Sequence, residues 1–361
     1  MKSSSPSFWQ SSWQRLQKNK GAMGGLVLIV IAIFIAVFGY FLAPDSSPYA
    51  NRIILEIGGE KPGYTQSFLL VKKETAHQTN FLERLVAGKE DQYDHIPVAS
   101  WRQTTDSVIA AKFIDEGVSE PISYSKKRLA PQPVIEQTFY VGTDKYGRDI
   151  LSRLIIGTRV SLSVGLITVL ISLTVGITLG AIAGYYKGTV DEVIMWLINV
   201  IWSIPTLLLV FAMTLLLGKG FWQVFIAVGL TMWVNVARLV RGQVLAAKEL
   251  QYVEAGKVLG FSNFRIISRH IMPNILGPIL VISAANFASA IVIEAGLSFL
   301  GVGVQPPQPS WGLMIKENYN FIITQNPMLA LAPGFAIMLL VLAFNLLGNG
   351  LRDALNVRGK I

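Results

Sequence analysis

The chain has 361 residues, of which 52% are hydrophobic and only 15% charged, with a formal net charge of +9 and no cysteine. Soluble domains carry about 25% charged residues, so an ordinary cytosolic enzyme is excluded, as is intrinsic disorder, which requires low hydrophobicity. The missing cysteine removes disulfides, zinc–thiolate centres and thiol nucleophiles, and on so apolar a chain the positive charge reads as a record of loop orientation rather than as a nucleic-acid partner.

Residues 1–21 form a basic leader whose Trp9 and Trp13 suit a helix lying at a membrane interface. Residues 22–43 are the first predicted transmembrane helix. The uncharged run 22–42 is longer than a signal-peptide core, and no clean A-x-A site follows it. Residues 44–141 change character: they are polar, and they read as a small α+β insert. Strands are predicted at 51–57 and 67–72, and short helices at 81–87 and 107–115. His77 and His95 lie in this insert without a coordinating pattern, and no metal site is expected. Residues 142–159, GTDKYGRDILSRLIIGTR, are predicted as an amphipathic lead-in. Ile150, Leu151, Leu154 and Ile155 share one helical face, with Arg148, Arg153 and Arg159 between them. Uncharged runs at 160–186, 193–218, 220–237, 271–293 and 318–351 supply five further spans. Proline and glycine inside them are compatible with membrane helices, because neighbouring helices re-satisfy the freed backbone groups.

Charge then orients the chain. Residues 1–21 carry +4, 44–159 are neutral, 238–270 carry +4 and 352–361 carry +2. Both termini and the 238–270 loop are therefore expected inside, with 44–159 and 303–326 outside.

The inside loop, 241–274, is the most informative segment. Residues 249–259 read as a short helix, Gly260 as a turn, and Ser262 and Asn263 as the cap of a second helix. Pro273 stands where the membrane helix is expected to restart. Val253, Val258, Leu259 and Phe261 offer an apolar docking surface ringed by Lys257, Arg265 and Arg269. The plain alternative is an ordinary basic loop, and the residues alone leave both readings open.

Within the spans, Asn199, Ser203, Ser283, Asn286 and Ser289 are polar. They could line a water-filled path or bond neighbouring helices. Glu294 is the one acid near a membrane segment, a candidate gate residue or a structural partner of Arg148, Arg153 or Arg159. No G-x-x-x-x-G-K-[ST] loop is present, so no nucleotide is expected on this chain, and no cofactor is implied.

The order Glu254, Ala255, Gly260, His270, Pro273, Asn274 resembles the EAA loop of ABC-importer permeases, with Gly256 where the family usually has a second alanine. GTDKYGRDILSRLIIGTRVSL, the run 294–303 followed by QPPQPSWG, Ala332-Pro333-Gly334 and NLLGNGLRDAL resemble the C-type subunit of the dipeptide/oligopeptide/nickel branch. Asn349 and Asn356 stand where an acid is usual, and the 44–141 insert exceeds the usual loop. The resemblance implies an all-α polytopic membrane protein with six transmembrane helices of the type I ABC-importer permease kind, and a permease core at 160–361. It implies a non-catalytic subunit serving a peptide or similar solute. Its partners would be a second homologous permease, two ATPase subunits, an extracytoplasmic binding protein and the bilayer. It also assigns ATPase coupling to Glu254, Ala255, Gly256, Lys257, Leu259, Gly260 and Phe261, and loop architecture to His270, Pro273 and Asn274. The competing readings are a stand-alone secondary transporter or channel, which would need ion-coupling groups deep in the membrane, and a membrane-held sensor acting through the insert.

Overall fold

The computed structural model describes residues 8–74, 79–218, 220–323 and 326–355; His77, Lys219 and Asn356 lie outside the described residues, as does the side chain of Trp9. In chain order the elements are helix α1 (Phe8–Lys18), α2 (Lys20–Leu42), strand β1 (Tyr64–Lys72), α3 (Phe81–Ala87), β2 (Tyr93–Gln103), β3 (Ser107–Asp115), β4 (Val118–Ser125), β5 (Leu129–Phe139), α4 (Ile150–Tyr186), α5 (Gly188–Trp202), α6 (Thr206–Leu217), α7 (Phe221–Lys248), α8 (Gln251–Val258), α9 (Asn263–Arg265), α10 (Leu276–Leu300), α11 (Trp311–Asn318) and α12 (Met328–Leu355). They form two units, one of residues 1–32, 161–304 and 337–361, the other of 33–160 and 305–336.

Among the described residues five helices are long and apolar enough to cross a membrane: α2, α4, α7, the run Asn263–Leu300 and α12. The remaining expected span, 193–218, is not one helix. It is broken between α5 and α6, whose axes differ by 92°. Pro205 accounts for the break. It has no N–H to donate, and its ring disfavours the helical conformation at Ile204. Ser203 turns its hydroxyl back onto the Val200 carbonyl at 2.7 Å.

In the first unit α4 and α7 lie against each other through glycine. A Cβ at Gly176, Gly180 or Gly184 would come within 2.4–2.8 Å of α7 atoms, among them the carbonyls of Trp233, Ala237 and Arg241. These glycines recur every four residues, so they share one helix face and let the two backbones approach. A buried core of Tyr185, Val236, Val240, Val244, Val253, Ile266 and Ile271 continues from that seam.

The second unit holds one antiparallel sheet of order β4-β3-β2-β1-β5. Strand β1, paired with β2 on one side and β5 on the other, is covered on both faces. Phe68 packs with Ile54, Ile57 and Phe139, while Leu69 and Val71 pack with Val98, Val108 and Leu129. The predicted helix at Phe81–Ala87 is present, and 67–72 lies within β1. Two expectations are corrected. Residues 107–115 are strand β3, not a helix; Val108 and Ala110 are buried while Ile109 between them is exposed, which is the period of a strand. Residues 51–57 are not a strand but a loop ending in a 3₁₀ turn, Leu55–Ile57, which places Ile54 and Ile57 under the sheet.

The separate lead-in helix at 142–159 is also replaced. Residues 142–149 form a loop closed by a bridge between Thr143 and Asp149, and helix starts at Ile150 and runs unbroken for 37 residues. At 1.5 Å per residue that is about 55 Å, well beyond the hydrocarbon thickness of about 30 Å. Arg148 and Arg153 are buried, and both reach Glu317 Oε2, at 2.7 and 3.2 Å; Arg148 Nε also donates to Asp144 Oδ2 at 2.6 Å. Their partners are thus Asp144 and Glu317 rather than the expected Glu294. Arg159 donates to the Val86 carbonyl at 3.2 Å and sits over the Tyr40 ring.

His95 on β2 packs edge-on to Phe68. Burial holds its imidazole down to about 4, the nearby Arg52 cation adds to this, and Asp91 opposes it. The unfolded chain therefore binds a proton near pH 6.5 that the folded insert refuses until about pH 4. Stability of the insert is expected to fall as pH drops through that window. His95→Gln should flatten the loss, as read by thermal unfolding between pH 7 and pH 4.

Candidate functional site

Glu249 and Leu250 turn the chain from α7 into α8. One face of α8 is buried: Val253 joins the core beneath, and Gly256 lies beside it. Glu254, Ala255 and Lys257 are exposed. The helix ends in a Schellman motif, with Phe261 N–H donating to the Gly256 carbonyl at 3.0 Å and Gly260 N–H to the Lys257 carbonyl at 2.9 Å. Gly260 has φ +76°, and no heavy atom lies within 4 Å of where its Cβ would be. Its requirement is conformational rather than steric. Ser262 then caps α9, accepting from Arg265 N–H at 3.4 Å.

Burial divides the four apolar residues expected to form a docking surface. Val253 is fully buried and Phe261 is partly so, stacked on His270 with ring centroids 5.6 Å apart. Both brace the loop from within. The outward apolar groups are Val258 (88% exposed), Leu259 (70%) and Phe264 (80%). Phe264 was missed, because its exposure depends on what packs beneath α9 and not on local pattern. Lys257 and Arg265 are exposed beside them.

Pro273 does not restart a helix. The chain passes from α9 through a π turn, Ile266–Ile271, and a 3₁₀ turn, Met272–Ile275, into α10. Pro273 cannot donate to the carbonyl four residues back, and the altered turns absorb that loss. Asn274 Nδ2 donates to the His270 carbonyl at 2.7 Å and to Tyr252 Oη at 3.1 Å, which ties this turn to α8.

Polar ties hold this assembly to the ends of neighbouring helices. Tyr185 Oη donates to Asn263 Oδ1 at 2.8 Å, and Arg241 grips Asp191 with two bonds of 2.5 Å. Lys187 meets Glu249 at 3.0 Å, and that hydrogen bond holds the Glu249 carboxyl below its ordinary range.

Gly256 is where the sequence departs from the double alanine. A Cβ there would meet Phe261 and Ile266 at 3.5 and 3.8 Å, ordinary contact distances. Gly256→Ala is expected to stabilise the loop by about 1 kcal/mol through helix propensity, whereas Gly260→Ala should destabilise it by about 1–2 kcal/mol through the left-handed backbone. Opposite shifts in the thermal midpoint of the purified protein would check both.

A second feature is a cavity of about 410 Å³ in the same unit, lined by Ile201, Trp202, Thr206, Leu209, Thr231, Met232, Asn235, Ala288, Ser289, Val292, Ile293, Val341 and Asn345. Its polar groups are amides and hydroxyls, none charged. Of the polar span residues singled out from sequence, Ser289 lines it. Asn199, Ser203, Asn286 and Glu294 do not. Asn199 accepts from Arg238 at 3.0 Å, and Arg238 lies 3.6 Å from the centroid of the Trp202 ring, whose N–H donates to Asn235. Asn286 is buried. Glu294, 1% exposed, accepts from Ser298 Oγ at 2.6 Å, and Ser298 Oγ accepts from Val304 N–H at 3.0 Å. That chain of bonds pins the turn after α10. Asn235, Thr231 and Asn345 had no signal in sequence beyond being polar residues in apolar runs.

Residues 176–360, which include the loop and all of the cavity lining, match the binding-protein-dependent transport system inner membrane component family. The chain belongs to that family. Residues 7–55 match the N-terminal transmembrane domain of oligopeptide transport permease C. A glutathione transport system permease protein of Pectobacterium atrosepticum is 42% identical over 73% of this chain and 84% of its own. A dipeptide transport system permease protein of Bacillus subtilis is 32% identical over 99% of this chain and 88% of its own, an alignment that runs through the 44–141 segment. The MetNI methionine ABC transporter in an inward-facing conformation covers 57% of this chain at 15% identity and a TM-score of 0.48. The chain is an inner-membrane permease subunit of the ABC importer class, of the C type, and members of its family are not themselves catalytic.

Proposed function

We propose that this subunit forms one half of a translocation path for peptides or similar small solutes, driven by ATP hydrolysed on two separate ATPase subunits. A homologous permease supplies the other half, and an extracytoplasmic binding protein delivers the solute. The single observation that supports the coupling role most is the short helix α8, with one face in the core and Val258, Leu259 and Phe264 left exposed beyond it. An apolar ridge of that kind, rimmed by Lys257 and Arg265, suits a groove on an ATPase. Glu254, Ala255, Gly256, Lys257, Leu259, Gly260 and Phe261 set its shape rather than perform acid–base chemistry.

In this reading the chain crosses six times, with α5 and α6 together as the third crossing. Both termini and the 238–270 loop are cytoplasmic, and 44–141 is an extracytoplasmic domain. Closure of the ATPase pair pushes α8, and the tied helix ends carry the motion to the cavity, which alternates between two exposures. The uncharged amide and hydroxyl lining at Asn235, Thr231, Ser289 and Asn345 suits peptide groups of any net charge.

The test is reconstitution. The permease pair, ATPase subunits and binding protein in proteoliposomes should take up labelled dipeptide only with ATP. Uptake by this chain alone, driven by an ion gradient, would establish the secondary-transporter reading instead.

A further inference from the structure

Helix α3 is short, and its apolar residues are turned outward. At 100° per residue, Phe81, Leu85, Leu82 and Val86 fall within an arc of about 140°, wide enough for a buried stripe. Yet Phe81, Leu82 and Val86 are 65%, 72% and 68% exposed, and the core clusters of the sheet do not include them. The helix is fixed in this orientation. Asn80 and Glu83 form a reciprocal capping box at its start.

What fixes it is the end of the first membrane helix. The Phe81 ring lies 5.4 Å from that of Phe41, and Arg84 sits 4.4 Å over the same Phe41 ring and donates to the Tyr40 carbonyl. Arg159 of α4 donates to the Val86 carbonyl and lies over the Tyr40 ring. Lys89 N–H, just past the helix, donates to the Ser46 carbonyl at 2.8 Å. The exposed side of α3 therefore begins where the exposed apolar side of α2 ends, at Phe34, Val37, Phe38 and Leu42. That side of α2 can face only lipid or another membrane helix.

We propose that α3 is an interfacial anchor, with Phe81, Leu82 and Val86 seated in the lipid at the headgroup–acyl boundary. The cations flanking it, Arg84 and Arg159, lie at the level where lipid phosphates sit, and their long side chains reach that level from the apolar layer. The anchor pins the insert to the bilayer surface beside the first span. It concerns the insert and the bilayer, and stands or falls separately from the solute carried.

The chain has no cysteine, so a single Leu82→Cys substitution gives a specific spin-label site. The assembled transporter in lipid nanodiscs carries the label, and the unsubstituted complex taken through the same labelling sets the background. Collisions with oxygen should exceed those with a water-soluble nickel chelate several-fold at Leu82. A label at Glu116, in the turn between β3 and β4, should show the reverse. Chelate access at Leu82 equal to that at Glu116 would overturn the proposal. Protection from both reagents would also overturn it, since a protein partner would then cover the face. If Leu82→Cys fails to assemble, Val86→Cys on the same face gives the same readout.

Discussion

Replacing Glu317 with alanine is expected to lower the stability of the protein by about 3–5 kcal/mol, the cost of leaving buried charge without its partner. Two guanidinium groups, Arg148 and Arg153, converge on one oxygen of this carboxylate, and both are almost wholly buried. With Glu317 gone, Asp144 is left as the carboxylate within 4 Å of the two cations among the described residues. Glu317→Gln should lose most of the same stability, because it keeps the shape and removes the charge. The double change Arg153→Met with Glu317→Met restores one-to-one charge and should recover much of the loss, since a hydrophobic replacement for a buried pair is often neutral. Thermal unfolding of the purified protein in detergent measures all three. Equal losses for the single and double variants would mean the cluster contributes through packing and not through charge.

The second large effect is expected at the loop. In the proposed docking, Leu259 and Phe264 enter a groove on the ATPase subunit. Truncating a buried interface anchor typically costs at least about 2 kcal/mol, roughly thirtyfold in affinity. Placing charge there costs more. Leu259→Asp with Phe264→Asp should therefore abolish co-purification of the ATPase subunits while leaving the chain folded, because both side chains are already exposed. An unchanged ATPase content with normal ATP-driven uptake would remove the ridge from the coupling mechanism. Val253→Asp is the informative contrast. It should unfold the loop itself, since Val253 is fully buried.

Local pattern made some of this legible and hid the rest for physical reasons. Spans and the Phe81–Ala87 helix follow from composition and periodicity within a short window, and the glycine turn and Ser262 cap follow from backbone rules within four residues. Ser107–Asp115 was misread because its apolar residues fit both a helix face and a strand face, and only its neighbours β2 and β4 settle the matter. The carboxylate shared by Arg148 and Arg153, Glu317, lies more than 160 residues away in sequence, so no local reading could supply it. In the 241–274 loop the helix, glycine turn and cap were legible, but the faces of Val253 and Phe261 were reversed, because which side of a short helix is inside depends on what lies beneath it. In the spans, polarity alone could not separate Ser289, which lines the cavity, from Glu294, which bonds a turn.

The glycine seam between α4 and α7 bears on where motion is possible. With backbone lying against backbone at Gly176, Gly180 and Gly184, neither sliding nor rolling has room to start without collision, so these two helices form a single stiff strut. Any alternation of the cavity must then be accommodated elsewhere. In the proposed mechanism the kink at Pro205, where no continuous hydrogen-bonded rod runs, would take up that motion, with the strut as the fixed post against which it swings.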